Sequence, residues 1–94
     1  MRVLWTKNAA EHLRGIHAYI AQGSPLYAVR VIDRLTRASL RIGEFPLSGR
    51  TVPEIGKNQI REVVMDSYRI IYHIKSDRVE ILAVIHGAQN IRLK

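Results

Sequence analysis

The sequence predicts an α+β domain in the order β-α-α-β-β-β, an N-terminal strand and a helical hairpin packed on an antiparallel sheet. Three observations predict it. Apolar residues recur at helical spacing up to Ile42, with one interruption at Gly23-Ser24-Pro25. A stretch rich in proline and glycine follows. Beyond Ile60 the period changes to two, with short polar pairs at Asp66-Ser67 and Ser76-Asp77. Period 3.6 marks a helix with one buried face, and period two marks a strand with one buried face.

The elements follow in order. Residues 2–5 form a short strand. Thr6 stands where an N-cap belongs, and Trp5 before it can staple toward Ala10. Ala9, Leu13, Ile16 and Ile20 then lie on one helical face, and Gly23 is placed to end that helix. Ser24-Pro25 opens the second helix, serine as cap and proline at the first helical position. Its inward residues are Ala28, Ile32, Leu35 and Ile42, with Gly43 closing it. Two helices joined so tightly form an antiparallel hairpin.

Phe45 to Gly56 reads as loop, because its prolines and glycines oppose any long regular element. Strands follow at Ile60–Met65, Tyr68–Lys75 and Arg78–His86, the polar pairs between them suiting hairpin turns. On the middle strand Tyr68, Ile70, Tyr72 and Ile74 share one face, and Arg69, Ile71 and His73 the other. On the last, Val79, Ile81, Ala83 and Ile85 are expected opposite Leu82, Val84 and His86. Residues 1–94 form one domain, without linker, repeat or low-complexity segment.

Composition narrows the function classes. There is no cysteine, which excludes disulfides, thiolate metal sites and thiol nucleophiles. The first residues turn polar too soon for a signal peptide, and no apolar run nears the roughly 20 residues that span a bilayer. A cytoplasmic protein without membrane association is expected. The charge is +7, from 15 Lys and Arg against 8 Asp and Glu, and most of the cations are arginine. Arginine's planar fork suits phosphate and carboxylate, so a nucleic acid or an acidic protein is the expected kind of partner. A basic surface kept for solubility alone is the plain alternative.

Arg30, Arg34, Arg37 and Arg41 recur at steps of four, three and four, along one face of the second helix. They form either a solvated face, which an Asp33–Arg37 pair supports, or a stripe that faces an anionic partner. No aromatic residues interleave with them to stack bases. His12 and His17 are five apart, and His73 stands alone, so no metal is expected. Neither a phosphate-cradling glycine loop nor a serine-nucleophile motif is present, and no cofactor is expected. Tyr19, Tyr27 and Tyr72 read as packing residues with wet hydroxyls.

An ordered set of short matches resembles the RelE/ParE superfamily of toxins of type II toxin–antitoxin systems. It comprises Trp5-Thr6, Tyr19-Ile20, Ser24-Pro25-Leu26-Tyr27-Ala28, Phe45-Pro46 with Gly49-Arg50, Val52-Pro53-Glu54, Arg61, Tyr68-Arg69-Ile70-Ile71-Tyr72 and Val84-Ile85-His86-Gly87-Ala88. The Phe-Pro-x-x-Gly-Arg loop and the His-Gly-Ala ending resemble the ParE branch, whose members serve in plasmid stabilization. The resemblance implies a complex with a cognate antitoxin, ParD-like or other, for which the arginine row Arg30, Arg34, Arg37 and Arg41 is the candidate surface.

Two mechanisms belong to this superfamily, and fold alone does not choose. The ParE branch inhibits DNA gyrase and so DNA replication. On that reading Arg61, Arg69, His86 and Arg92, with the end Ile91-Arg92-Leu93-Lys94, are the target-binding candidates. The RelE branch cuts mRNA on the ribosome with a cluster of lysine and arginine. Here Arg69 matches one arginine of that cluster. The two lysines fall near Ile60 and Glu62, and the last arginine near Gln89, so those cations are missing. A related ribonuclease branch uses Glu, Arg and His, which Glu54, Arg69 and His86 could supply. Metal-free RNA cleavage needs a base, an acid and cations around the phosphate. The residues bear just as well a plain reading: Arg69 pairs with Glu62 or Glu80 across the sheet, and His86 ends a strand. A toxin-like chain that is inactive and serves only antitoxin binding is the third possibility.

Overall fold

A computed structural model describes residues 1–87. Strand β1 (Arg2–Trp5) is followed by helices α1 (Lys7–Ala21) and α2 (Pro25–Glu44). A 3-10 turn at Pro46–Ser48 leads to β2 (Arg50–Thr51), and then come β3 (Ile60–Met65), β4 (Tyr68–Ile74) and β5 (Arg78–His86). The five strands form one sheet in the order β1-β5-β4-β3-β2. Strands β2 to β5 pair antiparallel, and β1 adds to the edge parallel to β5. The expected α+β domain is therefore present, with a fifth short strand in the stretch read as loop. Thr51 of β2 lies opposite Arg61 and Arg50 opposite Glu62.

The helix starts are built as their residues dictate. Thr6 Oγ1 accepts from Ala9 N at 3.1 Å and donates to the Ile81 carbonyl at 2.8 Å, so one hydroxyl caps α1 and ties it to β5. Ser24 Oγ accepts from Tyr27 N at 3.1 Å, and Pro25 takes the first position of α2. Gly43 does not close α2; it lies inside the last turn, buried. A Cβ there would stand 2.5 Å from Val3 Cγ2 and 2.7 Å from the Met1 carbonyl. Its role is close approach: β1 lies against α2 where only hydrogen fits, and the chain's amino terminus donates to the Gly43 carbonyl at 2.9 Å.

The main core lies between the hairpin and one face of the sheet. Ala9, Val31, Leu35 and Ile42 from the helices meet Ile70, Tyr72, Val79, Ile81 and Val84. Val31 thus joins the buried row, whereas Ile32 is half-buried at its margin. Each large apolar side chain so buried contributes about 1.5–3 kcal/mol. A smaller core of Val52, Ile71 and Ala83 forms on the opposite face, beneath the segment between β2 and β3.

One face assignment changes within β5. Ile81 pairs with Tyr72 but Ala83 pairs with Ile71, so Leu82 is an extra residue against β4. Such a bulge flips the alternation. Val79 and Ile81 face the helices as expected, but beyond the bulge Val84 does so and Ala83 joins the smaller core. The bulge lies where β1 stops pairing. There Asn8 Nδ2 donates to the Leu82 carbonyl at 3.0 Å, and the Val84 amide donates to His12 Nδ1 at 3.2 Å. Side chains of α1 thus take over the edge of β5.

Candidate functional site

The residues singled out for function fall in four places. The first is the sheet face away from the helices. Arg69 on β4 lies opposite Val64 of β3 and Ile85 of β5, and Glu62 lies opposite Arg50 and Ile71. Alternation therefore puts Arg50, Glu62 and Arg69 on one face. Arg69 Nε donates to Glu62 Oε1 at 2.8 Å, and its Nη2 also reaches that oxygen. Its outer edge forks onto Glu54, Nη1 to Oε2 at 2.9 Å and Nη2 to Oε1 at 3.0 Å. Arg50 Nε donates to Glu62 Oε2 at 2.6 Å.

Two arginines and two glutamates thus share one network, whose formal charges cancel. Glu62 is fully buried at its centre, Arg69 is 7% exposed, and Glu54 lies at the solvent margin. The fork from Arg69 holds the Glu54 carboxyl below the usual carboxylate range. The same carboxylate, with Glu62 behind it, raises the Arg69 guanidinium above its ordinary value. A depressed carboxylate is a weak base, and a guanidinium shared by two carboxylates is poorly placed to hold a phosphate. The cluster first of all joins the 52–55 segment, through Glu54, to the buried Arg69–Glu62 pair of the sheet.

His86 occupies the other face. It pairs with Tyr68 across the strands, the two rings meeting edge to face at 6.1 Å between centroids. It borders a groove of about 500 Å³ between α1 and β5, lined also by His12, Ile16, Tyr19 and Tyr68. Around the end of the sheet it also borders a hollow of about 440 Å³ with Arg50, Val64, Asp66, Ser67, Arg69 and Gly87. The trio Glu54, Arg69 and His86 is thus divided: Glu54 and Arg69 are in contact, and His86 reaches the same hollow from the opposite face.

Arg61 belongs to the rim. Its guanidinium donates to the Asn58 carbonyl at 3.1 Å, Asn58 Oδ1 at 2.8 Å and the Gly49 carbonyl at 2.9 Å. It ties the residue before β2 to the turn that leads into β3. Arg92, with the rest of residues 88–94, lies outside the described residues.

The arginine row runs along exposed α2. Arg34 meets Asp66 at 2.9 Å, Arg37 meets Asp33 at 3.1 Å, and the Arg41 guanidinium lies 5.9 Å from the centre of the Phe45 ring. Exposed Leu26, Val29, Leu40, Phe45 and Leu47 accompany the row. Single exposed apolar residues are ordinary on a surface, but a mixed basic and apolar stripe of this length is a feature of partner-binding faces.

Arg50 and Tyr72 matter to the site's frame but are not singled out for it by sequence, whereas Glu62 is, as one of two partners expected for Arg69. Tyr72 is fully buried, and its hydroxyl is dry. It donates to the Pro46 carbonyl and accepts from Gly49 N, and burial pushes its phenol upward in pKa. Tyr19 and Tyr27 are exposed, not packed. A signal for Glu62 existed: an acid at an inward position of an otherwise apolar strand demands a cationic partner. Among the described residues no helix is long and apolar enough to cross a membrane, and no three His, Asp or Glu side chains are grouped to hold a metal.

Comparison with known proteins agrees with this architecture. Residues 3–91 match the family model described as ParE toxin of type II toxin-antitoxin system, parDE. The chain is 36% identical over 89 residues to Toxin RelE2 of Caulobacter vibrioides, covering 94% of this chain and 97% of that one. It is 40% identical over 91 residues to the protein Y4kP of Sinorhizobium fredii, covering 94% and 90%. A solved structure described as the chromosomal ParDE TA system from P. aeruginosa contains a similar fold, with TM-score 0.76, 18% identity and coverage of 92% and 95%. The chain belongs to the ParE toxin family, within the ParE/RelE superfamily of type II toxin–antitoxin toxins.

Proposed function

We propose that this toxin acts by binding DNA gyrase and halting DNA replication, without breaking bonds itself, and that a cognate antitoxin neutralises it. The observation that carries the reading is the charge network. Arg69 and Glu54, the two central residues of the ribonuclease alternative, spend their charges on each other and on Glu62. The lysine pair expected beside a scissile phosphate is replaced by Ile60 and Glu62, and Glu62 is buried. Cleavage by general acid–base chemistry would need a base, an acid and net positive charge together.

The basic and apolar stripe of α2 is the surface proposed for the antitoxin. Arg30, Arg34, Arg37 and Arg41 would attract an acidic segment, and Leu26, Val29 and Leu40 would bury its apolar side. The residues proposed to meet the target are Arg61, Arg69, His86 and Arg92. A toxin of this kind acts where DNA is replicated, in the cytoplasm, and works without cofactor.

The test is supercoiling by purified gyrase in the presence of the purified toxin. Inhibition that added antitoxin reverses is expected. Unimpaired supercoiling at high toxin excess, together with cleavage of mRNA on translating ribosomes, would assign the chain to the ribonuclease branch.

A further inference from the structure

The four arginines of α2 are of two kinds. Arg34 meets Asp66 at 2.9 Å and Arg37 meets Asp33 at 3.1 Å, so each has its charge matched locally. Arg30 and Arg41 form no ion pair among the described residues. Each of these two borders a hollow. Arg30 lines one of about 300 Å³ with Tyr27, Asp33 and Arg34. Arg41 lines another of about 570 Å³ with Phe45, Pro46 and Leu47, and Glu44 borders it without pairing to Arg41. Exposed Leu26 and Val29 precede Arg30 along the helix, and exposed Leu40 precedes Arg41. Eleven residues, from 30 to 41, are three helical turns, which is about 16 Å along the axis and a return to nearly the same face. The face therefore presents two cationic and apolar ends of similar make, with a charge-matched middle.

We propose that Arg30 and Arg41 are the residues by which this face selects its protein partner, and that the partner lays an amphipathic α-helix along α2, with two carboxylates three turns apart and apolar residues beside them. Charge complementarity names the acid. A second copy of this chain, itself carrying +7, would bring like charges together. The backbone names the helix. The backbone groups of α2 bond one another, so an extended segment laid on it would lose water from its own amides and carbonyls and find no partner for them. A helix satisfies its own, and two helices side by side lie about 8–10 Å apart, within reach of an arginine side chain. Asp33 sets the register. It lies on the outward line from Leu26 to Leu40, between the two ends. An acid of the partner brought toward Arg37 would also meet Asp33, so the middle arginines do not read the partner's acids. One polar residue in an apolar seam fixes register in the same way. The inference rests on the reading of α2 as the surface for the antitoxin.

The test uses the purified toxin and two synthetic peptides of about twenty residues, held helical by a side-chain crosslink and identical in composition. In the matched peptide two glutamates stand at the spacing of Arg30 and Arg41, beside leucines on the same face. In the control one glutamate is moved to the opposite face. Calorimetric titration should show the matched peptide binding at least about tenfold tighter. Arg30→Gln and Arg41→Gln should each remove most of that preference, and Arg37→Gln should leave it in place, with circular dichroism showing all three variants folded. Equal binding of the two peptides, or an equal loss from Arg37→Gln, would overturn the proposal. So would displacement of the matched peptide by a DNA duplex at physiological salt, which would assign the row to phosphate groups. Neither peptide involves gyrase or the whole antitoxin, so a failure here leaves the toxin mechanism standing. Whole antitoxin that binds the doubly changed Arg30→Glu, Arg41→Glu toxin as tightly as wild type would instead remove α2 from the interface altogether.

Discussion

The hydroxyl of Tyr72 donates to the carbonyl of Pro46 at 2.6 Å, across 26 residues of chain. It also accepts from the Gly49 amide at 3.0 Å. A Cβ on residue 49 would stand 2.6 Å from the Glu62 carbonyl and collide with the Tyr72 hydroxyl. The Phe-Pro-x-x-Gly-Arg motif thus has a physical meaning in this chain. Proline presents a carbonyl to the phenol, glycine lets the backbone reach it, and Arg50 then pairs with Glu62. Tyr72→Phe should cost about 1–3 kcal/mol, because two buried backbone groups lose their partner. Denaturant unfolding measures the loss, and hydrogen exchange at Gly49 should quicken with it. A change near zero would mean that the motif is held by other contacts.

The two helical glycines should respond oppositely to alanine. Gly15 has no atom within 4 Å of the place a Cβ would take, and it lies exposed within α1. Gly15→Ala should stabilise the fold by roughly 0.5–1 kcal/mol, the difference in helix propensity. Gly43→Ala should destabilise it by about 1–3 kcal/mol, since Val3 and the Met1 carbonyl must retreat. Thermal unfolding of the two variants checks both signs at once.

The pH dependence of stability should carry a contribution from Glu54. Its folded pKa lies below the unfolded value, chiefly through the hydrogen bonds from Arg69. A depressed carboxylate adds stability above its unfolded pKa and loses it as the pH falls through the folded value. Wild type should therefore exceed Glu54→Gln in stability at neutral pH. The gap should close as the pH drops below the ordinary carboxylate range. A gap that persists at low pH would mean that Glu54 contributes through packing instead.

Charge reversal on α2 should separate binding from folding. Arg30 and Arg41 are exposed. The double change Arg30→Glu and Arg41→Glu should alter stability by no more than about 0.5 kcal/mol, as surface substitutions do. Antitoxin affinity should fall by at least about tenfold, and more at low salt than at high. Calorimetric titration at two salt concentrations measures this, and an unchanged affinity would remove the arginine row from the interface.

Much of the architecture was legible in the sequence, for reasons that particular residues illustrate. Thr6, Ser24 and Pro25 are local signals, and they cap their helices as local signals should. The face shared by Tyr68, Ile70, Tyr72 and Ile74 follows from alternation alone. What escaped depends on distant partners. Leu82 bulges where β1 ends, and no local pattern marks that point. Gly43 resembles a helix stop, yet its glycine answers to Val3 and Met1, about forty residues earlier in the chain. Of the candidate site, the pairing of Arg69 with Glu62 was among the readings open from sequence. The additional claim of Glu54 on the same guanidinium depends on how the irregular segment folds back. The separation of His86 from Arg69 onto opposite faces follows from their register, which neighbouring strands alone determine.

The central claim is that this toxin stops replication by binding. Pulse labelling after induced expression in a bacterial host, following DNA and protein synthesis side by side, tests it most directly. DNA synthesis should fall first, with protein synthesis persisting. Prompt arrest of protein synthesis with DNA synthesis intact would contradict the account and make Glu54, Arg69 and His86 candidates for catalysis.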